Sequence, residues 1–459
     1  MKIFSWQTIL LLLIGFLIAI TSSSLYMVNT GDYYRSIFPF IENITPFTKE
    51  IPLSFPLRSD VQSIFSYDYI SSYSYLVYAY AMVIRLFTNH FNIAIYSSLL
   101  KIMYIITFTF LFLKINKTEN RKITILAYTI SLLPIISSSN LAFFGSFYQE
   151  QVLLICLPLF LVSTFKNGYA SLAVAFLSIT VIACSKSQFF YIPAIALLYY
   201  FIFNRDKILL KLVLMIISLV LAIACIIAAT STVTYNKYHS EYFGVYEYEK
   251  INSIPFPDGV DKECVGIDAW GNRFDIIKGV TQTDIGETCF NRHTDANFKN
   301  SLSEFIKHPS IVFLLPFDSG VKSQLTENYF HVYKALDLII NNKGIYYKIT
   351  LIKDYLFKDY RFLLLLIAFI TSFFIKKKEL AGILFVTSSI GCSQFYMAFF
   401  GEGYRDMSKH LFGMNFSFDI ILFTTITYFI GKIYYLFVSK QYLSKKGANQ
   451  IKTTTGHIS

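Results

Sequence analysis

Four short polar clusters interrupt an otherwise apolar chain, and their residue types suit acid–base and phosphate chemistry. The first is Gly31-Asp32-Tyr33-Tyr34-Arg35. The second is Gly145-Ser146-Phe147-Tyr148-Gln149-Glu150-Gln151. The third is Ser185-Lys186-Ser187-Gln188. The fourth is Glu402-Gly403-Tyr404-Arg405-Asp406 with Lys409 and His410. A carboxylate such as Asp32 or Glu150 can take a proton from an acceptor hydroxyl. Lysine and arginine can stabilise the charge that grows on a departing phosphate. The clusters therefore fit group transfer from a phosphorylated donor, provided the fold brings them to one place. Taken singly, each reads more readily as an ordinary polar turn than as a catalytic group.

The elements that must position them are membrane helices. Hydrophobic residues make up 54% of the 459 and charged residues 15%, and the mean hydropathy is +0.50. This is the composition of a polytopic membrane protein. The net charge of +11 is not a nucleic-acid signal, because Lys and Arg fall in short inter-helix turns, as the positive-inside rule requires. Apolar runs predict about ten spans, at 8–28, 93–113, 123–140, 148–165, 169–185, 189–204, 208–230, 360–375, 380–400 and 413–437. A signal-peptide reading of Met1-Lys2 and the run behind it is set aside, because the run continues to Met27 and is long enough to span.

Residues 73–87 are also apolar. Counting them as a span would put the basic turn 114–122, with Lys114, Lys117, Arg121 and Lys122, outside, and Arg85 lies within them. They are read as an interfacial helix in a first outer loop, 29–92. The resulting domains are a transmembrane region 1–230, a large periplasmic loop 231–358, C-terminal transmembrane helices 359–438 and a cytoplasmic tail 439–459 carrying Lys440, Lys445 and Lys446. All four polar clusters then face outward. Lys186 breaks the rule that keeps lysine inside, so a lipid phosphate or Glu150 is expected to balance it. Cys264 and Cys289 are the only cysteines of the outer loop, and they are expected to form a disulfide. The absence of C-x-x-C and of any His/Cys cluster argues against zinc. No P-loop, dinucleotide fingerprint or H-E-x-x-H occurs.

With these motifs the chain resembles the multi-spanning glycosyltransferases that use lipid-phosphate sugars, the GT-C architecture. More narrowly, Gly31 to Arg35, Phe144 to Glu150, Ser185 to Gln188 and Gly403 to Leu411 resemble the phage-type, serotype-converting O-antigen glucosyltransferases. That resemblance implies transfer of glucose from undecaprenyl-phosphate glucose to O-antigen repeat units of lipopolysaccharide on the periplasmic face of the bacterial inner membrane. It implies two functional partners, a small flippase and a cytoplasmic polyprenyl-phosphate glucosyltransferase, and an architecture that does not always need a metal; no cofactor and no metal site is expected. Carried onto this chain, Asp32 is the general base and Glu150 a second acid, or the base itself if Arg35 ties Asp32 into an ion pair. Arg35, Lys186, Gln188, Arg405, Lys409 and His410 bind substrate. Two alternatives stay open: a flippase or transporter of a lipid-linked sugar, and an O-antigen polymerase or ligase. The gathering of charge at one face and the lack of an internal repeat favour the transferase over a transporter.

Overall fold

A computed structural model describes residues 6–455, except 43, 66–68, 117, 119 and 276–278, with side chains described to residue 434 apart from 230 and 231. Met1, Lys2, Lys117 and residues 456–459 of the tail lie outside the described residues, as do the side chains of Lys440, Lys445 and Lys446. The chain is mostly helical. A crossing takes about 20 apolar residues at 1.5 Å each. Among the described residues, four helices meet that requirement: Ile93–Ile115, Ile208–Ala228, Lys378–Glu402 and Phe412–Tyr434. Five apolar helices are shorter: Trp6–Thr21, Gln151–Ser163, Tyr169–Ala183, Ser187–Phe203 and Arg361–Ser372.

Nine of the ten expected spans therefore fall on apolar helices, but only four are long enough alone. The expected span 123–140 is not one helix. It runs as Arg121–Leu132, breaks, and resumes as Ser138–Phe144. Pro134 sits in the break; it lacks an N–H, so it cannot continue the helical hydrogen-bond ladder. Every residue of Ser138–Phe144 is buried, so this piece is packed inside protein.

Helix burial shows which elements are central. Ile208–Ala228 buries only Lys211, Met215, Ser218 and Ala222, a stripe spaced by three and four residues that marks one contact face on a peripheral helix. Its other faces expose apolar side chains such as Leu209, Val213, Val220 and Ile227. Lys378–Glu402 instead buries residues all round and packs against Arg361–Ser372, Phe412–Thr455 and Ile192–Phe203.

A helix forms at Ser72–Arg85, over the expected 73–87, capped by the Ser71 side chain, which accepts from the Tyr73 amide. It buries Tyr73, Ser74, Val77 and Ala81 and leaves Leu76 and Val83 exposed, the two-sided pattern of an amphipathic helix.

The 231–358 segment is more intimately built into the bundle than a separate loop domain would be. It opens with helix Thr230–Tyr238, the π-helix His239–Val245 and helix Tyr246–Ile251. A hairpin pairs Asn272–Asp275 with Gly279–Gln282. Cys264 and Cys289 form the expected disulfide, with Cα atoms 5.4 Å apart. Strand Ile339–Ile340 pairs antiparallel with Tyr26–Met27, just beyond the first helix. Helix Gly344–Phe357 then buries Thr350 and Lys353 and packs on Ser138–Phe144.

Candidate functional site

The first polar cluster is aimed by Asn29. Its side-chain carbonyl accepts from the amides of Gly31, at 2.8 Å, and Tyr33, at 3.3 Å. Gly31 adopts φ +101°, a conformation open to glycine at little cost. This turn presents Asp32 to a cavity of about 920 Å³. The Asp32 Oδ2 accepts from Lys409 Nζ at 2.8 Å, and Oδ1 lies 3.3 Å from Arg35 Nη1. The ion pair with Arg35 expected from the sequence is thus present, with a second cation added. Burial pushes the Asp32 carboxyl up, but Lys409, Arg35 and Lys186 outweigh it and hold it well below the usual carboxylate range.

The fourth cluster is set by Gly403, at φ +59°. A Cβ there would lie 2.3 Å from the Phe243 carbonyl oxygen, so only glycine allows this close approach. The turn points Glu402, Arg405, Asp406, Lys409 and His410 into the same cavity. Glu402 Oε2 is 3.2 Å from both His239 Nδ1 and Arg405 Nη1, and its Oε1 is 3.7 Å from His410 Nε2. The Ala269 amide donates to His239 Nε2 at 3.1 Å, which leaves the ring proton on Nδ1, facing Glu402. Arg405 lies 4.2 Å above the Trp270 ring, a favourable cation–π placement. Burial and the nearby Lys186 pull His410 down to about 4, so its ring is neutral at physiological pH.

Seven of the eight residues singled out from the sequence line this one cavity: Asp32, Arg35, Lys186, Gln188, Arg405, Lys409 and His410. Glu150 does not. It is 1% exposed and in direct contact with Lys186 Nζ, so of the two expected counter-charges for Lys186 it is the carboxylate that the structure supplies. Five chemically active residues that line the cavity were given no role from sequence: Glu402, Asp406, His239, His331 and Trp270. Glu402 and Asp406 stood inside the fourth cluster, so adjacency to assigned residues was the signal, and His239 follows closely on the 208–230 run. His331 and Trp270 carried none.

The cavity has two kinds of wall. Ile223 and Ile226, from the peripheral Ile208–Ala228 helix, make one side apolar. Tyr235 and Trp270 make another aromatic, their rings stacked with centroids 5.3 Å apart. Charge inside is nearly balanced. Each of the cations Arg35, Lys186, Arg405 and Lys409 contacts a carboxylate among Asp32, Glu150, Asp268, Glu402 and Asp406.

A second charged group, away from the cavity, escaped the sequence reading. Lys353 Nζ lies 2.6 Å from both Glu327 and Asp419, and Arg361 bridges Glu327 at 2.8 Å and Asp354 at 3.1 Å. Glu327, Asp419 and Arg361 are fully buried. Asp419 stands within the last apolar run, where a charge is costly, and that was the available clue.

Comparison with known proteins places the chain. It is 45% identical over 417 residues to a protein of Escherichia coli K12 that carries the name "Uncharacterized protein YfdI", covering 91% of this chain and 94% of that one. The chain belongs to the YfdI family. Residues 314–453 match the family described as the YfdI N-terminal transmembrane domain, a stretch that holds the fourth cluster and the buried network. With the apolar helices, this makes it a membrane protein. No solved structure matches the chain.

Proposed function

We propose that the chain is a periplasmic-face glucosyltransferase of GT-C plan in the bacterial inner membrane, moving glucose from undecaprenyl-phosphate glucose to O-antigen repeat units. In this reading the nine apolar helices and the broken 121–144 segment make the crossings. A small flippase and a cytoplasmic polyprenyl-phosphate glucosyltransferase supply the donor. The observation that carries it is the single cavity joining seven residues from three distant clusters, with an apolar wall on a peripheral helix and aromatic rings beside the charges.

The parts have separate tasks. The apolar side at Ile223 and Ile226 suits a polyprenyl chain arriving from lipid. Flat rings such as Trp270 suit the C–H face of a sugar. The acceptor hydroxyl oxygen bonds to the anomeric carbon as the bond from that carbon to the phosphate oxygen breaks, and the electron pair leaves on the phosphate. The hydroxyl proton passes to Asp32. Lys186, Lys409 and Arg405 stabilise the departing phosphate.

Two cations on Asp32 make it a weak base in the resting protein. A donor phosphate that draws Lys409 and Arg35 toward itself raises its basicity, so donor binding arms the base.

The test is Asp32→Asn in cells that also contain the flippase and the donor-making enzyme, read as hexose added per O-antigen repeat by mass spectrometry. The wild type adds hexose, and the variant loses about 10²–10⁴-fold of that rate. Normal modification by the variant at normal membrane abundance removes Asp32 as the base. An O-antigen left unmodified by the wild type removes the function.

A further inference from the structure

Two buried acids stand together outside the cavity. Glu249, on helix Tyr246–Ile251, is fully buried, and neither of its carboxylate oxygens has a hydrogen-bond partner. Glu304, on helix Phe298–Lys307, is 4% exposed. His308 follows at the end of that helix, and a spacing of four residues puts it on the same face as Glu304. Its Nε2 lies 3.9 Å from Glu304 Oε2. Ligand atoms of all three residues lie within 4.8 Å of one another. Lys307 engages Glu304 Oε1 at 2.7 Å and leaves the second oxygen facing the histidine.

We propose that Glu249, Glu304 and His308 form a site for a divalent transition cation of the zinc type, which clamps helix Tyr246–Ile251 to helix Phe298–Lys307. Unpaired carboxylates are not left buried without cause. Here a carboxylate with both oxygens unpartnered points to a missing positive partner. The donor set selects the ion. An imidazole beside carboxylates suits zinc and its neighbours, whereas magnesium and calcium prefer oxygen alone. Zinc bonds of about 2.0–2.2 Å set tetrahedral ligand separations of about 3.4 Å, which the 3.9 Å pair reaches by a small side-chain adjustment. The fourth position opens on the His308 side, where the side chain is 36% exposed, and water can fill it.

A zinc-type site here runs against the expectation, drawn from the lack of a His/Cys cluster, that the chain does not bind zinc. A second group, Asp261 with Cys264 and His293, is less available. Its cysteine is bonded to Cys289, and Asp261 already pairs with Arg292 and His293. The clamp has a consequence for the cavity, because Phe298 and Leu302 of the same helix line it. A metal that fixes the far end of this helix stiffens that wall. The inference does not depend on the glucosyltransferase reading.

The experiment uses the full chain, purified in detergent and stripped with a chelator. Zinc chloride is titrated against a competing chromophoric chelator, and thermal unfolding is followed with and without zinc. The wild type takes up one equivalent and gains thermal stability. Loss of an outer-sphere partner alone weakens a metal site about 10–100-fold, so Glu249→Gln and His308→Ala each weaken uptake by at least about tenfold. His308 is partly exposed, so its variant stays folded even where the buried Glu249→Gln does not. No uptake by the wild type overturns the site and leaves a proton held between Glu249 and Glu304 as what permits their burial. Uptake unchanged in both variants overturns it too, because the zinc then sits elsewhere.

Discussion

Lys353 is the side chain whose removal should cost this fold most. Its Nζ donates to both Asp419 oxygens, at 2.7 and 2.6 Å, to the Pro134 carbonyl at 3.0 Å and to Ser137 Oγ at 3.0 Å, and it also meets Glu327 at 2.6 Å. Lys353→Met keeps the chain length and the apolar stem but removes the charge. Glu327 then retains Arg361 and Ser139. Asp419 retains only the Asn140 amide, at 2.7 Å. Removing one partner of a buried pair costs about 3–5 kcal/mol, chiefly because the other charge is left buried alone. At 1.36 kcal/mol per factor of ten, 4 kcal/mol is about a thousandfold in the unfolding constant. The double variant Lys353→Met with Asp419→Asn removes both charges, keeps a bond to Asn140, and should recover at least about half of the loss. The assay is thermal and denaturant unfolding of the detergent-solubilised protein, run as a double-mutant cycle. A single-variant cost below about 1 kcal/mol, or a double variant no more stable than Lys353→Met, would refute the assignment of this network as a mutually dependent unit.

Three further outcomes follow from named contacts. The lowered His410 pKa means that the unfolded chain binds a proton between pH 6.5 and about 4 while the folded chain does not, so stability falls as pH drops through that window. The size is about 3 kcal/mol, and His410→Asn should flatten the stability-versus-pH slope there. Gly403→Ala should cost more than about 2 kcal/mol and empty the membrane of folded protein, since a positive φ alone costs of order 1–3 kcal/mol and the new Cβ meets the Phe243 carbonyl; Gly401→Ala, with nothing within 4 Å, is the neutral control. The double variant Cys264→Ser, Cys289→Ser should lose about 3.5 kcal/mol by chain entropy alone, given their separation of 25 residues, and limited proteolysis should then cut between them.

The convergence of Asp32, Lys186 and Lys409 was legible because three independent rules agreed. Apolar run length set the helices, turn charge set their direction, and polar residues inside apolar sequence are too costly to be scattered without cause. Cys264 and Cys289 were legible for a similar reason, since segregation into one loop left each a single partner. The helix break at Pro134 was written in the sequence but hidden by the apolar residues on both sides of it. The Lys353 network was harder to see. Two of its members, Lys353 and Asp354, read as ordinary loop charges until helix Gly344–Phe357 turned out to pack on the buried Ser138–Phe144 helix. Glu249 gave no sign at all, because it sits among Tyr246, Glu247, Tyr248 and Lys250, a stretch that reads as a solvated surface.

The geometry changes how a phosphate would meet the site. From sequence, Lys186, Arg405 and Lys409 read as a basic cluster waiting for an anion. In the structure none of the three is unengaged: Glu150 holds Lys186, Glu402 and Asp268 hold Arg405, and Asp32 and Asp406 hold Lys409. An incoming phosphate therefore exchanges partners with carboxylates. The exchanges are unequal in cost. Glu150 is fully enclosed, so stripping it of Lys186 would leave a buried charge alone. Asp32 is 22% exposed, so water can replace the cation it gives up. The phosphate should therefore draw Lys409 and Arg35 away from Asp32 and meet Lys186 while Lys186 stays paired with Glu150. The same exchange uncovers the one carboxylate that the proposed transfer needs as a base, which ties the acid–base step to the presence of the donor without any movement of the helices.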